Sequence, residues 1–212
     1  MTPDPLLDGL EMLWARISPS ESATPIEFPV ELDPVSRRYE LVEATRLRIG
    51  DALTRDVELT RRLSPDVLRL LLLESNRTDQ LVHPLIAALG RRRVLDYLIQ
   101  AARVGEWAAR ANAASAAYWV RAWAPRRPVV DQRDSHYVAD LWPDLWLAAL
   151  EAFVHCPDVD LQEQLHTAFP LGPGRYPPEA VHVLRQARAI AVAHPDRFAR
   201  LLDGSTGYGA AI

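Results

Sequence analysis

The 212-residue sequence predicts an all-α chain, a short α-solenoid of antiparallel helical hairpins. Three observations predict it. Apolar residues recur at i, i+3, i+4 and i+7 through most of the chain, the period of an amphipathic helix. Cap and turn residues (Ser, Asp, Gly, Pro) break these stretches into hairpins at roughly 30–45 residue spacing, the range of stacked repeat units. Only the stretch 26–32 alternates with the period of two that a strand needs.

Residues 4–17 give the first expected helix, with Leu6, Leu7, Leu10, Leu13, Trp14 and Ile17 on one broad side. Asp4 and Asp8 lie near the positive end of its dipole. Residues 18–34 contain four prolines, which forbid a helix and predict an extended arm in which Ile26, Phe28, Val30 and Leu32 alternate. It is either a linker or a cover for a groove. Asp33-Pro34 supplies a cap and a first-turn residue for a helix reaching about Leu53. Tyr39, Leu41, Val42, Leu47, Ile49 and Leu53 are expected to face inward there, with Gly50 weakening the end. Ser64-Pro65-Asp66 reads as the start of a helix over 67–74. After a break at Ser75-Asn76-Arg77, Thr78-Asp79-Gln80 opens a helix that ends at Leu89-Gly90, with His83-Pro84 kinking or restarting it. Two consecutive helices follow, over 91–104 and 107–123. Gly105 separates them, as a glycine able to take the left-handed cap conformation. Residues 124–135 form a long irregular connection, long enough inside a helical array to be functional or mobile. Further helices are expected over 142–155, from a Pro157-Asp158 cap to Phe169, over 179–194, and from Pro195-Asp196 to Leu202. A rigid turn over 170–178 interrupts them, and 204–212 reads as a loose tail.

The helix from Trp107 carries Ala109-Arg110-Ala111-Asn112-Ala113-Ala114-Ser115-Ala116-Ala117. A small apolar residue, an arginine, an alanine pair and a further apolar position resemble the second helix of a HEAT repeat, a HEAT-like or ARM-like helical repeat. Such small side chains let helix axes approach closely. The resemblance is clearest over 91–123 and degenerate over 142–169 and 179–202. It implies one repeat domain spanning 1–212, with Ala113 and Ala114 buried. It also implies that Arg110 pairs with an acid of a neighbouring repeat.

Composition bounds the function. The chain is 49% hydrophobic and 25% charged, as in folded globular proteins. All 24 basic residues are arginine. With abundant alanine and proline this reads as GC-rich, bacterial coding bias, which weakens the arginine count as a sign of nucleic-acid work. No apolar run nears the ~20 residues of a membrane span, and the start lacks the features of a signal peptide. A cytoplasmic protein without membrane contact is expected. Residues 1–35 carry a net −6, 36–127 a net +7 and 128–212 a net −5. A basic middle between acidic ends is either an interaction surface or charge pairing between neighbouring helices.

Four sets of residues carry candidate chemistry. Arg91-Arg92-Arg93 on an interhelix turn, Arg126-Arg127 on the long loop, and Arg110 with Arg121 on one helix face are the candidate binding cations. Trp119 and Trp123, one turn apart, are candidate binding aromatics or core. Glu163-x-x-His166 and Glu179-x-x-His182 have the spacing that puts a carboxylate and an imidazole on one helix face in di-iron bundles, with Glu151 four residues before His155 as a further ligand. They are the weak metal candidates, set against capping roles. Adjacent His155 and Cys156 point in different directions at a helix end, which disfavours a catalytic dyad and favours a buried thiol. No phosphate loop, zinc-protease motif or nucleophile elbow is present, and no catalytic residue or cofactor is implied. The expected function is a non-enzymatic protein–protein interaction module, such as a scaffold, adaptor, antitoxin or immunity-type protein. A nucleic-acid binder or DNA-repair glycosylase on the HEAT-like fold is the alternative, with a metal-dependent enzyme behind it.

Overall fold

The computed structural model describes residues 4–19, 32–74, 78–122 and 138–203. Ten α-helices and short 3-10 turns make up 85% of these, with no strand among the described residues. The expected strand-like alternation over 26–31, the loop over 124–135 and the tail over 204–212 lie outside them. The chain divides into two compact units, 1–90 and 91–212.

Unit one holds α1 (Pro5–Ile17), α2 (Pro34–Arg55), α3 (Val57–Leu70) and α4 (Asp79–Leu89). Local chemistry sets the starts. The Asp4 carboxylate accepts from the Leu7 amide, and the Asp33 carboxylate accepts from Val35 and Ser36 at 3.0 and 3.2 Å. Each satisfies amides that the first helical turn leaves open. Proline follows at the first helical position in both helices. Helix α1 packs on α2 and α3, and α4 packs on α2 and α3. Leu6, Leu10 and Leu13 of α1 are buried at i, i+4 and i+7.

Val42, Ile49 and Leu53 of α2 are buried as expected, but the inward placing of Tyr39 and Leu47 and the helix start at Ser64-Pro65-Asp66 fail, each for a physical reason. The inward face of α2 is Val42, Thr45, Arg46, Ile49, Gly50 and Leu53, whereas Tyr39 and Leu47 are exposed. Leu47 lies about 100° round the helix from Arg46 and so off this stripe. Arg46 is tolerated inside because Glu43 pairs with it at 2.8 Å, and Gln80 of α4 donates to the same carboxylate at 2.9 Å. The Ser64-Pro65-Asp66 start signal is instead the interior of α3, which begins at an Asp56 cap. Pro65 removes the amide that would bond to the Arg61 carbonyl, and the Ser64 hydroxyl donates to that carbonyl at 2.9 Å in its place. Helix α4 likewise runs through Pro84, which leaves the Gln80 carbonyl without its helical donor. Gly50 fits against that carbonyl, where an added Cβ would stand 2.6 Å from the oxygen. Glycine there permits close contact of α2 and α4.

Unit two holds α5 (Arg91–Val104), α6 (Trp107–Ala122), α7 (Trp142–His155), α8 (Val159–Leu165), α9 (Val181–Ala193) and α10 (Pro195–Leu202). Gly90, at φ 84 and ψ 151, ends α4 in a conformation reserved for glycine. Gly105 has no positive φ, contrary to expectation. Its amide still bonds to the Ala101 carbonyl, and a Cβ there would meet the Ala109 methyl at 3.3 Å. Its role is close packing of the turn. Asp158 caps α8 as expected, but that helix stops at Leu165 and a 3-10 turn over His166–Ala168 replaces its last turn. Helix α5 packs on α6 and α7, α6 on α8, α7 on α8 and α9, and α9 on α10. Ala113 and Ala114 are buried at 0% and 2% exposure. The core centres on Phe153, in edge-to-face contact with Phe169 and Phe198 at 5.3 and 5.2 Å. No helix among the described residues is long and apolar enough to cross a membrane.

Candidate functional site

The arginines singled out in the sequence do not form one patch. Arg91 is buried at the start of α5. Arg92 reaches Asp140 through both terminal guanidinium nitrogens, at 3.1 and 2.9 Å. That hydrogen-bonded pairing raises the Arg92 pKa and lowers that of Asp140. Arg93 is exposed. Successive positions on a helix diverge by about 100°, so the triplet points in three directions. Arg110 donates from Nε to the Gly105 carbonyl at 2.6 Å and lies over the Trp107 ring, 4.4 Å from its centroid. These groups occupy the guanidinium in place of the acid that the HEAT resemblance implies. Arg121 shares the face of Arg110, but eleven residues of helical rise separate them by about 16 Å. Trp119 is half-buried, edge-to-face with exposed Tyr118 at 4.9 Å. Trp123, Arg126 and Arg127 lie outside the described residues.

The histidines cap their own turns. His182 and His155 meet the carbonyls of Glu179 and Glu151 through Nδ1, at 2.7 and 2.8 Å, and His166 meets that of Glu163 in the same way. A carbonyl only accepts, so each Nδ1 carries the proton. The Glu163 carboxylate faces Arg197 of α10 at 3.4 Å. No group of three or more His, Cys, Asp or Glu among the described residues is placed to hold a metal ion. Burial lowers the His166 pKa, partly offset by the Glu163 carbonyl, and the ring packs on Phe198 at 5.6 Å. Cys156 is buried and its Sγ lies 3.4 Å from the Asp158 carbonyl. Burial pushes its thiol up, away from the thiolate that nucleophilic chemistry needs.

A groove that the sequence did not announce lies between α1 and α3. Gly9, Met12, Leu13, Leu70 and Leu73 line an open cavity of about 230 Å³, with Arg16, Asp66 and Arg69 at its rim. Gly9 makes room for it, since a Cβ there would stand 2.7 Å from Leu70 Cδ2. Met12 is 71% exposed and Leu73 45% exposed. Asp66 bridges the rim, hydrogen-bonded to Arg16 and 3.5 Å from Arg69. The one sequence signal is that Met12 falls outside the Leu6–Leu10–Leu13 stripe. The chemistry on offer is apolar contact beside a net positive rim. No protein-family model, curated protein or solved structure matches the chain.

Proposed function

We propose that the chain is a HEAT-like helical-repeat protein whose work is to bind another protein, as a cytoplasmic scaffold, adaptor or immunity-type factor. The pairing of helices supports the repeat reading. In unit one α1 and α3 touch, as do α2 and α4; in unit two α5 touches α7, α7 touches α9, and α6 touches α8. First helices on first helices and second on second is the order of stacked hairpins. The observation that carries the binding reading is the α1–α3 groove. An exposed methionine and leucine beside an apolar floor and a charged rim have the make-up of an interface core with a polar edge.

The nucleic-acid alternative draws on exposed arginines of the basic middle such as Arg37, Arg62 and Arg93. Arg92 and Arg103 are engaged by Asp140 and Asp144, and Arg110 by Trp107 and a carbonyl. One experiment separates the two. A protein captured by the wild-type chain should lose at least about tenfold in affinity to the Met12→Asp, Leu73→Glu double variant, a modest loss for a central apolar contact. Unchanged affinity would remove the groove from the function. Duplex DNA bound with a log–log salt slope near −0.9 per phosphate contact would instead favour the alternative.

A further inference from the structure

Helix α9, Val181–Ala193, holds two arginines and no acid. Arg185 and Arg188 are both exposed and stand one turn apart at the edge of an open cleft of about 210 Å³, whose remaining lining is Leu171, Val181 and Leu184. Val181 is 44% exposed. Several arginines of this chain take acids: Arg16, Arg38, Arg46, Arg61, Arg92, Arg103 and Arg197 each pair with a carboxylate, whereas exposed Arg37, Arg62 and Arg93 have no such pair among the described residues. Arg185 and Arg188 have no hydrogen-bond or ion-pair partner among the described residues. Helical rise between them is about 4.5 Å, close enough for both planar forks to share one carboxylate or to take two from consecutive turns of a partner helix. The cleft lining is aliphatic and has no aromatic ring on which a base would stack. That composition favours a peptide over a nucleic acid.

We propose that this cleft binds an acidic segment of a partner protein, a carboxylate lodging between Arg185 and Arg188 while an adjacent aliphatic side chain covers Leu171, Val181 and Leu184. The inference rests on the reading of the chain as a protein-binding module, but uses a surface other than the α1–α3 groove.

The test is fluorescence polarisation of the whole chain against a labelled peptide of repeating Glu-Glu-Leu. A peptide with serine for leucine and an oligothymidylate of equal charge serve as comparisons. Saturable binding is expected, weakened about tenfold or more by Arg185→Gln with Arg188→Gln, and similarly by the serine peptide, since a charge-assisted pair and an apolar contact each supply about that factor. Arg37→Gln, an exposed change at a residue lining neither surface, should leave it unchanged. Both arginines are exposed, so glutamine there leaves the fold intact, and circular dichroism checks it. Absence of saturable binding at millimolar peptide would overturn the proposal, as would binding indifferent to the arginine changes. Oligothymidylate binding as tight as the peptide and equally lost in the variant would overturn it too, by making the cleft a phosphate site. Partner capture sensitive to Met12→Asp alongside a failed peptide test would sink this inference and leave the groove reading standing.

Discussion

Replacing Gly50 with alanine tests the contact on which the packing of α2 against α4 depends. Alanine in a helix interior is about 1 kcal/mol more favourable than glycine, so on propensity alone the variant should be more stable. The geometry opposes this. The new Cβ would stand 2.6 Å from the Gln80 oxygen and 3.3 Å from the Gln80 carbonyl carbon, and both are backbone atoms that no rotamer change can move. An ordinary carbon–oxygen contact is about 3.3–3.6 Å, so α4 must retreat by several tenths of an ångström or more. A gap of 0.5–1 Å forfeits roughly a quarter to a half of a contact's attraction. The retreat strains the 2.9 Å hydrogen bond from Gln80 to Glu43 and loosens buried Leu81 and Leu85. Overpacking of this kind costs about 1–3 kcal/mol. With Gln80 fixed as backbone, the upper part of that range applies, and the net loss is about 1–2 kcal/mol. At about 2–4 °C per kcal/mol for a chain of this size, differential scanning calorimetry should record a fall of about 2–8 °C. Gly9→Ala is the internal control. Its Cβ would meet only Leu70 Cδ2, the end of a flexible side chain, so helix propensity should dominate and the melting temperature should hold or rise. If Gly50→Ala melts at or above the wild type, the close approach of the two helices is not what selects glycine.

Ala114→Leu should also destabilise, by about 1–3 kcal/mol, because Ala114 is 2% exposed within the core of unit two; chemical denaturation with an unshifted midpoint would place this face in solvent. The second expectation concerns pH. Burial lowers the folded-state pKa of His166 below the usual imidazole value of about 6.5, so between the two values the unfolded chain binds the extra proton. Stability from this residue is therefore full above about pH 6.5 and declines as pH falls toward the folded value. Melting curves from pH 7.5 to 5.5 should slope more steeply in the wild type than in His166→Gln, which retains a donor for the Glu163 carbonyl without titrating; parallel slopes would refute the linkage.

How much of this fold was legible depends on the range of the interactions. Asp4, Asp33 and Asp158 cap helices because a carboxylate meets amides two or three residues ahead, and that chemistry is written in consecutive letters. Pro65 misleads by the same local reasoning, because its compensation is a hydroxyl that the start-signal reading assigns to a cap. Gly50 and Gly105 look like weak points in a helix or a cap, yet each is a place where another atom needs the room. Nothing within a few residues of Gly50 names Gln80. The α1–α3 groove is illegible for that reason, since Gly9 and Leu70 meet only when the fold brings them together. Exposure of Met12 then follows from which side of α1 its neighbours cover.

Charge tells the same story at the level of function. A net +7 over 36–127 invites the picture of a basic track, but a segment total cannot say which acids sit beside which arginines. Arg46 and Arg61 pair with acids three residues away, and Arg69 with Asp66, so these cations are balanced within their own helices. Arg92 and Arg103 are met by Asp140 and Asp144 from the acidic last third of the chain. Exposed pairs of this kind add at most about 1 kcal/mol each to stability, yet they change what an incoming polyanion meets, because each guanidinium already has a carboxylate beside it. One condition that leaves cations open for recognition is a helix that offers no acid of its own. Arg185 and Arg188 satisfy that condition in a segment whose overall charge is −5, where a count of charges would not look for a basic site.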